Sequence, residues 1–368
     1  MVTAVFALAL ALRLALVPLT QGFDFIAYQR LLNAVVHGRD VYAIPPSELL
    51  PWAYLPLCFD LYRGLQWLSG LTGWSFVILG KLPVVGADLL IGWLLYRGLR
   101  RRGHAAGRAL LAAALYLFNP LVLYNGAFYG RFDALALAFL LLALEEYHGR
   151  IFAPAFALAI SAKTFPLFVL PLLLCGRDRQ SGRRLLLALV LVAVLALPSL
   201  VSDLPGLVAH QVYAREIGGR LSWYTLLVQS HRLSTQTIHT LAQCGLLLYP
   251  VATLTLRQTP RDVKVAGACA LFLVFSSVVY EQYLLWALPF LIVVGLHYRD
   301  RLALYLLLLF TAAGLIENEF TWAEGFPWAY RVLPQVITVP SVPLNLLLAL
   351  SIIVAVGTWG TKGRAARW

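Results

Sequence analysis

Long Leu- and Ala-rich runs alternate with short polar segments along most of the 368 residues. A run of ~20 mostly apolar residues is enough to cross a bilayer as a helix. The runs lack the period-two alternation of barrel strands, so helices are expected. The pattern predicts spans at 2–20, 73–96, 109–128, 132–147, 185–201, 236–256, 265–280, 282–297, 302–316 and 340–359, with a short pair at 150–162 and 164–175. At ~1.5 Å per residue the short pair cannot cross fully. Pro154, Pro166 and Pro171 mark it as half-helices or a re-entrant hairpin. The expected fold class is an all-α polytopic membrane protein with about 10–12 transmembrane helices. It is read as a single domain over residues 1–368, with no separate soluble domain.

Three external segments remain, at 21–72, 202–235 and 317–339. In the first, Phe25, Tyr28, Leu32, Val35 and Val36 recur at helical spacing. That is an amphipathic helix able to lie on the bilayer surface, with Gly38 as its stop. The third segment carries Glu317, Glu319, Glu324, Trp322 and Trp328, an acidic loop with interfacial aromatics.

Composition sharpens this picture. The chain is 61% hydrophobic and only 12% charged, with a mean hydropathy of +0.78. Soluble domains carry about a quarter charged residues, and disordered chains are poor in apolar ones, so both classes are excluded. The net charge of +12 does not point to nucleic acid, because the basic residues cluster in short loops between spans. Those clusters are Arg97 to Arg108, Arg177 to Arg184, Arg257 to Lys264, Arg299 with Arg301, and Lys362 to Arg367. Placing them all inside satisfies the positive-inside rule, with both termini cytoplasmic. The first residues lack a basic leader, and Arg13 interrupts them, so they read as a first span rather than a signal peptide. Of the cysteines at 58, 175, 244 and 269, only Cys58 falls in an aqueous external segment, and no disulfide framework is expected. There is no internal repeat, Walker loop, GxGxxG turn or metal-ligand cluster.

Polar groups that a membrane makes costly indicate where function lies. Asp24, Arg131, Asp133, Lys163, Glu281 and Gln282, with His210, Arg215, Glu216 and Arg220, all fall on the outer side of this topology. Each also has a structural reading. Asp24 could cap its helix, Lys163 could snorkel, and Arg131 could pair with Asp133. Glu281 could partner Arg131 or Lys163, and Tyr28 and Tyr42 could be interfacial aromatics. Arg13 and Asp88, both mid-span, read as a structural ion pair.

Four segments carry a resemblance to a known family. They are DFIAYQRLLNAVVHGRDVY (24–42) with WAYLPL (52–57), KLPVVGADLLIGWLLY (81–96), YGRFDALALAFLLLAL (129–144) with SAKTFPLFVLPLLL (161–174), and YEQYLLWALPFL (280–291). Their order and spacing resemble the GT-C superfamily of integral-membrane glycosyltransferases. More narrowly, they resemble the polyprenyl-phosphate-mannose-dependent mannosyltransferases of glycosyltransferase family 87 and their GPI-mannosyltransferase-like relatives. Arg131 stands where the family has Gln, and Leu55 where it has the first Pro. A single acid at position 24 replaces an Asp-x-Asp pair, so no divalent metal and no other cofactor is indicated.

The resemblance implies sugar transfer, most simply of mannose, from a polyprenyl-phosphate donor to a lipid-linked or glycan acceptor. The reaction would run on the periplasmic or extracellular face of the cytoplasmic membrane, with inversion. Asp24 would be the general base. Lys163, Arg131, Arg215 and Arg220 would hold the donor phosphate. Tyr28, Tyr42, Tyr54, Asp133, His210, Glu281 and Gln282 would contact the acceptor or sugar. The expected partners are these two substrates and membrane lipids, not nucleic acid. A transporter or lipid flippase with an outward-facing polar site is the alternative from another class. Against it, transporters usually show repeats and midplane sites.

Overall fold

The structure is a computed structural model. It describes residues 1–36, 40–45, 49, 52–174, 179–213, 221, 222, 224, 227, 233–317 and 341–365. Regular structure among them is helical. Five described helices are long and apolar enough to cross a bilayer: Val2–Leu19, Phe76–Arg101, Gln180–His210, Gln236–Leu256 and Leu344–Lys362. A sixth candidate is broken: Ala106–Leu117 and Pro120–Phe128 meet at 47°. Pro120 has no N–H to continue the helix and disfavours helical backbone at Asn119. Asn119 instead accepts a hydrogen bond from the Leu121 N–H at 2.9 Å. Phe152–Ala162, Glu281–His297 and Arg301–Ile316 are apolar but shorter. The 150–175 region is short and broken, as its prolines imply, with Phe152–Ala162 followed by a 3₁₀ turn at Phe165–Val169 and the stub Leu170–Leu174.

The chain forms two compact units, each assembled from separate stretches. The first comprises Met1–Arg102, Val122–Leu167 and Arg177–Ala214. Its centre is the packing of Asp133–Glu145 against Phe152–Ala162 and Phe76–Arg101. Asp133–Glu145 is apolar nearly all round, and a helix of that kind is stable only when buried. Arg13 and Asp88 meet inside this unit at 3.0 Å, both side chains essentially unexposed, in the pair their mid-span positions imply.

The first external segment holds two helices, Phe23–Val36 and Pro56–Thr72. The apolar stripe of Phe23–Val36 does not face lipid throughout: Phe25, Leu31 and Leu32 are buried in the protein. Pro56–Thr72 buries Cys58, Phe59 and Tyr62 and exposes Leu61, Trp67, Leu68 and Leu71 on its other side. Cys58 is therefore not in an aqueous environment, and its thiol donates to the Ala162 carbonyl at 3.5 Å.

The segment from 202 to 213 is helix rather than loop. Arg179–Tyr213 runs on past a break at Asp203, where the backbone turns to φ −155°, ψ 74°. Pro205 tolerates this, because a proline in a first helical turn loses no needed hydrogen bond. Gly38 and the acidic loop from 318 to 339, with Trp322 and Trp328, lie outside the described residues, whereas Glu317 closes the helix Arg301–Glu317.

The second unit comprises Gly103–Leu121, Phe168–Gly176 and Arg215–Trp368. Arg261–Phe275 is its hub, packed by Thr235–Thr253, Leu288–His297 and Ser341–Ala365. Polar ties close it. Lys362 reaches the buried Asp300 at 3.0 Å, and His104 shares a 2.7 Å hydrogen bond with His297.

Candidate active site

The first unit gathers eight of the residues singled out from sequence. Asp24 lies in the first turn of Phe23–Val36, where a carboxylate is favoured by the helix dipole. Its Oδ2 accepts from Arg131 Nε at 2.7 Å. Arg131 Nη1 also donates to Asn125 Oδ1 at 2.8 Å, and the guanidinium sits 4.2 Å from the centre of the Tyr129 ring. The approach of Arg131 depends on Gly130, whose φ of +91° suits glycine. A side chain there would also press on Phe25 and Lys81.

Asp133 opens the helix Asp133–Glu145, and its Oδ1 accepts from Lys163 Nζ at 2.7 Å. Lys163 is the residue at which Phe152–Ala162 ends in extended backbone. Both partners are buried, so Lys163 does not snorkel. Arg131 and Asp133 are two residues apart, yet each pairs with a residue distant in sequence. The intervening Phe132 caps the start of the helix Asp133–Glu145.

Between the two ion pairs lies an aromatic cluster centred on Phe132. Tyr28 is 5.5 Å from it, Trp52 5.8 Å, Tyr54 5.0 Å and Tyr62 6.0 Å, ring centre to ring centre. Lys163 Nζ stands 5.3 Å from the Tyr54 ring, within cation–π range. Burial, then the neighbouring Tyr54 and the carboxylates of Asp24 and Asp133, push the Tyr28 phenol well up. Burial also raises Tyr54 and Tyr62, so all three stay protonated and can donate hydrogen bonds. Tyr54 further shares a side-chain hydrogen bond with Tyr28. Tyr42 props this arrangement from behind, its hydroxyl donating to the Tyr54 carbonyl at 2.8 Å. The His210 ring meets Tyr42 edge-on at 5.8 Å, and its Nε2 bonds the Ile44 carbonyl at 2.9 Å. Tyr42 and His210 thus shape the site's backbone rather than join the two ion pairs.

Glu281 and Gln282 are buried in the second unit, in the short helix Glu281–Leu284. Arg215 and Arg220 lie outside the described residues. Among the described residues no group of three or more His, Cys, Asp or Glu is arranged to hold a metal ion. Sequence reasoning overlooked three participants: Trp52, Tyr62 and Lys81. The first two look like ordinary loop aromatics. Lys81 left a legible signal, a lone lysine inside an apolar span.

A carboxylate beside a cation, a second buried carboxylate–lysine pair, and protonated phenols between them can take a proton, stabilise an anion and bind hydroxyls. These groups are mounted on a helical bundle with apolar helices long enough to cross a membrane. Among solved structures, ArnT from Cupriavidus metallidurans bound to undecaprenyl phosphate shares this fold, with a TM-score of 0.54 and 17% identity over 99% of this chain and 77% of that one. In sequence the chain is similar to GPI mannosyltransferase 1 of Gibberella zeae, 31% identical over 145 residues that cover 39% of this chain and 30% of that protein. It is also similar to GPI mannosyltransferase 1 of Trypanosoma brucei brucei, 25% identical over 284 residues, 67% of this chain and 63% of that one. The chain thus spans less than two thirds of the length of either relative. No protein-family model matches it. The comparisons thus agree with the resemblance drawn from the four motifs: this is an integral membrane protein with the fold of ArnT, similar in sequence to GPI mannosyltransferases.

Proposed function

We propose that the protein is a membrane glycosyltransferase that moves a sugar, mannose in the first instance, from a polyprenyl-phosphate donor to a lipid-linked or glycan acceptor on the outer face of the membrane. The observation that carries this reading is the juxtaposition of Asp24–Arg131 and Asp133–Lys163 around the Phe132 cluster. The similarity to mannosyltransferases, and the lipid phosphate bound by the structural neighbour, support the substrate class.

In this mechanism the acceptor oxygen attacks the anomeric carbon as the bond to the donor phosphate breaks, inverting the centre. The acceptor's proton passes to the Asp24 carboxylate. Arg131 holds only Oδ2, and Oδ1 faces no hydrogen-bond partner among the described residues. The departing polyprenyl phosphate is stabilised by Arg131 and Lys163, with Arg215 and Arg220 assigned on sequence grounds alone. Tyr28, Tyr54 and Asp133 orient sugar hydroxyls, while Tyr42 and His210 hold the segments that carry them. Glu281 and Gln282 keep an acceptor-binding assignment that rests on sequence. No step requires a metal.

The test is transfer of labelled mannose from a polyprenyl phosphate by protein purified in detergent, with a lipid extract as acceptor. Formation of a labelled glycolipid that Asp24→Asn abolishes is the expected result. Absence of transfer with every polyprenyl-phosphate sugar offered would overturn the reading.

A further inference from the structure

Lys81 is fully buried in the helix Phe76–Arg101. Buried lysines in membrane helices normally pair with an acid or line a pathway. Among the described residues Lys81 forms no ion pair. Its ammonium donates to three backbone carbonyls: Thr20 at 2.6 Å, Phe128 at 2.6 Å and Val17 at 3.0 Å. All three lie where helical backbone ends. Val17 caps the first helix and opens the 3₁₀ turn Val17–Leu19, Thr20 caps the end of that turn, and Phe128 is the last residue of the π-helical turn Tyr124–Phe128. Such ends leave carbonyls without intrahelical partners and carry partial negative charge. One cation therefore satisfies the ends of two separate segments with its three donors.

What those segments lead to gives the contact its meaning. Asp24 follows Thr20 by four residues, and Arg131 follows Phe128 by three. The same two strands of chain are tied by the Gly22 N–H donating to the Tyr129 carbonyl at 3.1 Å. They approach so closely that a side chain at Gly22 would collide with the Tyr129 ring. The Lys81 stem also fills the space beside Gly130, immediately before Arg131. Asp24 and Arg131 are 107 positions apart, and no local preference brings them together.

The geometry points to Lys81 as a positioning residue: it staples the 17–22 and 128–130 segments together and so sets the register of the Asp24–Arg131 pair. The catalytic meaning of that register rests on the function proposed above. The staple itself does not.

The experiment compares the wild type with Lys81→Met and Lys81→Gln by hydrogen exchange in detergent, alongside melting temperature and transfer kinetics. Ile91→Ala, a cavity in the same helix at another fully buried position, is the control for general destabilisation. The expected result is at least tenfold faster exchange confined to peptides covering 17–24 and 124–133. Transfer should fall about 10–100-fold in kcat with donor KM within about threefold, since a 1 Å misplacement of reacting groups costs on that order. Lys81→Gln, which keeps an amide donor, should lie between, and it carries the test if Lys81→Met does not fold. Ile91→Ala should exchange faster throughout the unit and keep its kcat per folded molecule. Unchanged exchange in both segments, or a Lys81 profile that copies Ile91→Ala, would overturn the proposal. The exchange result as expected, with no transfer by any form including wild type, would keep the staple and remove the proposed function.

Discussion

Replacing Asp24 by Asn separates the proton-transfer role from every structural one. Asn suits a helix N-terminus about as well as Asp, so the start of Phe23–Val36 is preserved. The structural loss is the charge in the pair with Arg131. At 2.7 Å the contact is short, but the Asp24 side chain is 30% exposed and that of Arg131 10%. An exposed pair is worth about 0–1 kcal/mol, and breaking a buried one costs about 3–5 kcal/mol. For this partly screened pair a loss of about 2 kcal/mol is expected, which leaves a folded protein. The chemical loss should be larger and of another kind. A missing general base costs about 10²–10⁴-fold, or about 3–5 kcal/mol of activation free energy. Arg131, relieved of its carboxylate, keeps its charge for the donor phosphate. The forecast is therefore a kcat reduced at least a hundredfold, a donor KM unchanged or lower, and a modest fall in melting temperature. Initial rates of labelled sugar transfer over a range of donor concentrations measure all but the last. An Asn variant turning over within tenfold of wild type would leave Asp24 as a structural ion-pair partner and remove the base from the mechanism.

Further outcomes follow from other contacts. Asp88→Ala should cost about 3–5 kcal/mol by stranding the buried Arg13, and Arg13→Ala combined with it should recover part of that. A double variant no better than the summed singles in thermal unfolding would show the two uncoupled. Lys163→Ala removes the partner of the buried Asp133 and should cut donor kcat/KM by about 10–1,000-fold; unchanged donor kinetics in both Lys163→Ala and Arg131→Ala would refute their role at the phosphate. Burial pushes the Cys58 thiol up to about 12, so at pH 8 about one molecule in ten thousand is thiolate. Maleimide should label it only after denaturation, and rapid labelling of native protein would contradict its packing. Cysteines introduced for the exposed Arg63 and Arg101 should react with impermeant reagents from opposite sides of the membrane. Labelling of both from one side would place the candidate site on the wrong face.

Apolar runs and arginine clusters determine by themselves that this chain is helical and membrane-embedded. The reason is local: each run must satisfy its own backbone in lipid, so residues near in sequence decide it. The same reasoning finds Asp24 at a helix start, Lys163 at a break between prolines and Arg13 with Asp88 as a pair, because an isolated charge in such surroundings is costly. Which carboxylate each cation would choose was not legible. Arg131 and Asp133 are neighbours in sequence, yet Arg131 reaches back 107 positions to Asp24 and Asp133 forward 30 to Lys163. That choice belongs to packing: Phe132, which caps the helix beginning at Asp133, occupies the centre of the aromatic cluster. The stripe of Phe25 and Leu32 had the right period for a surface helix, but period says that one face is apolar and not whether lipid or protein covers it. Likewise a lysine at position 81 reads as one charge in a span. Only the folded chain delivers three carbonyls from two distant helix ends to its ammonium, because carbonyls left bare by helix termini leave no mark in the order of side chains.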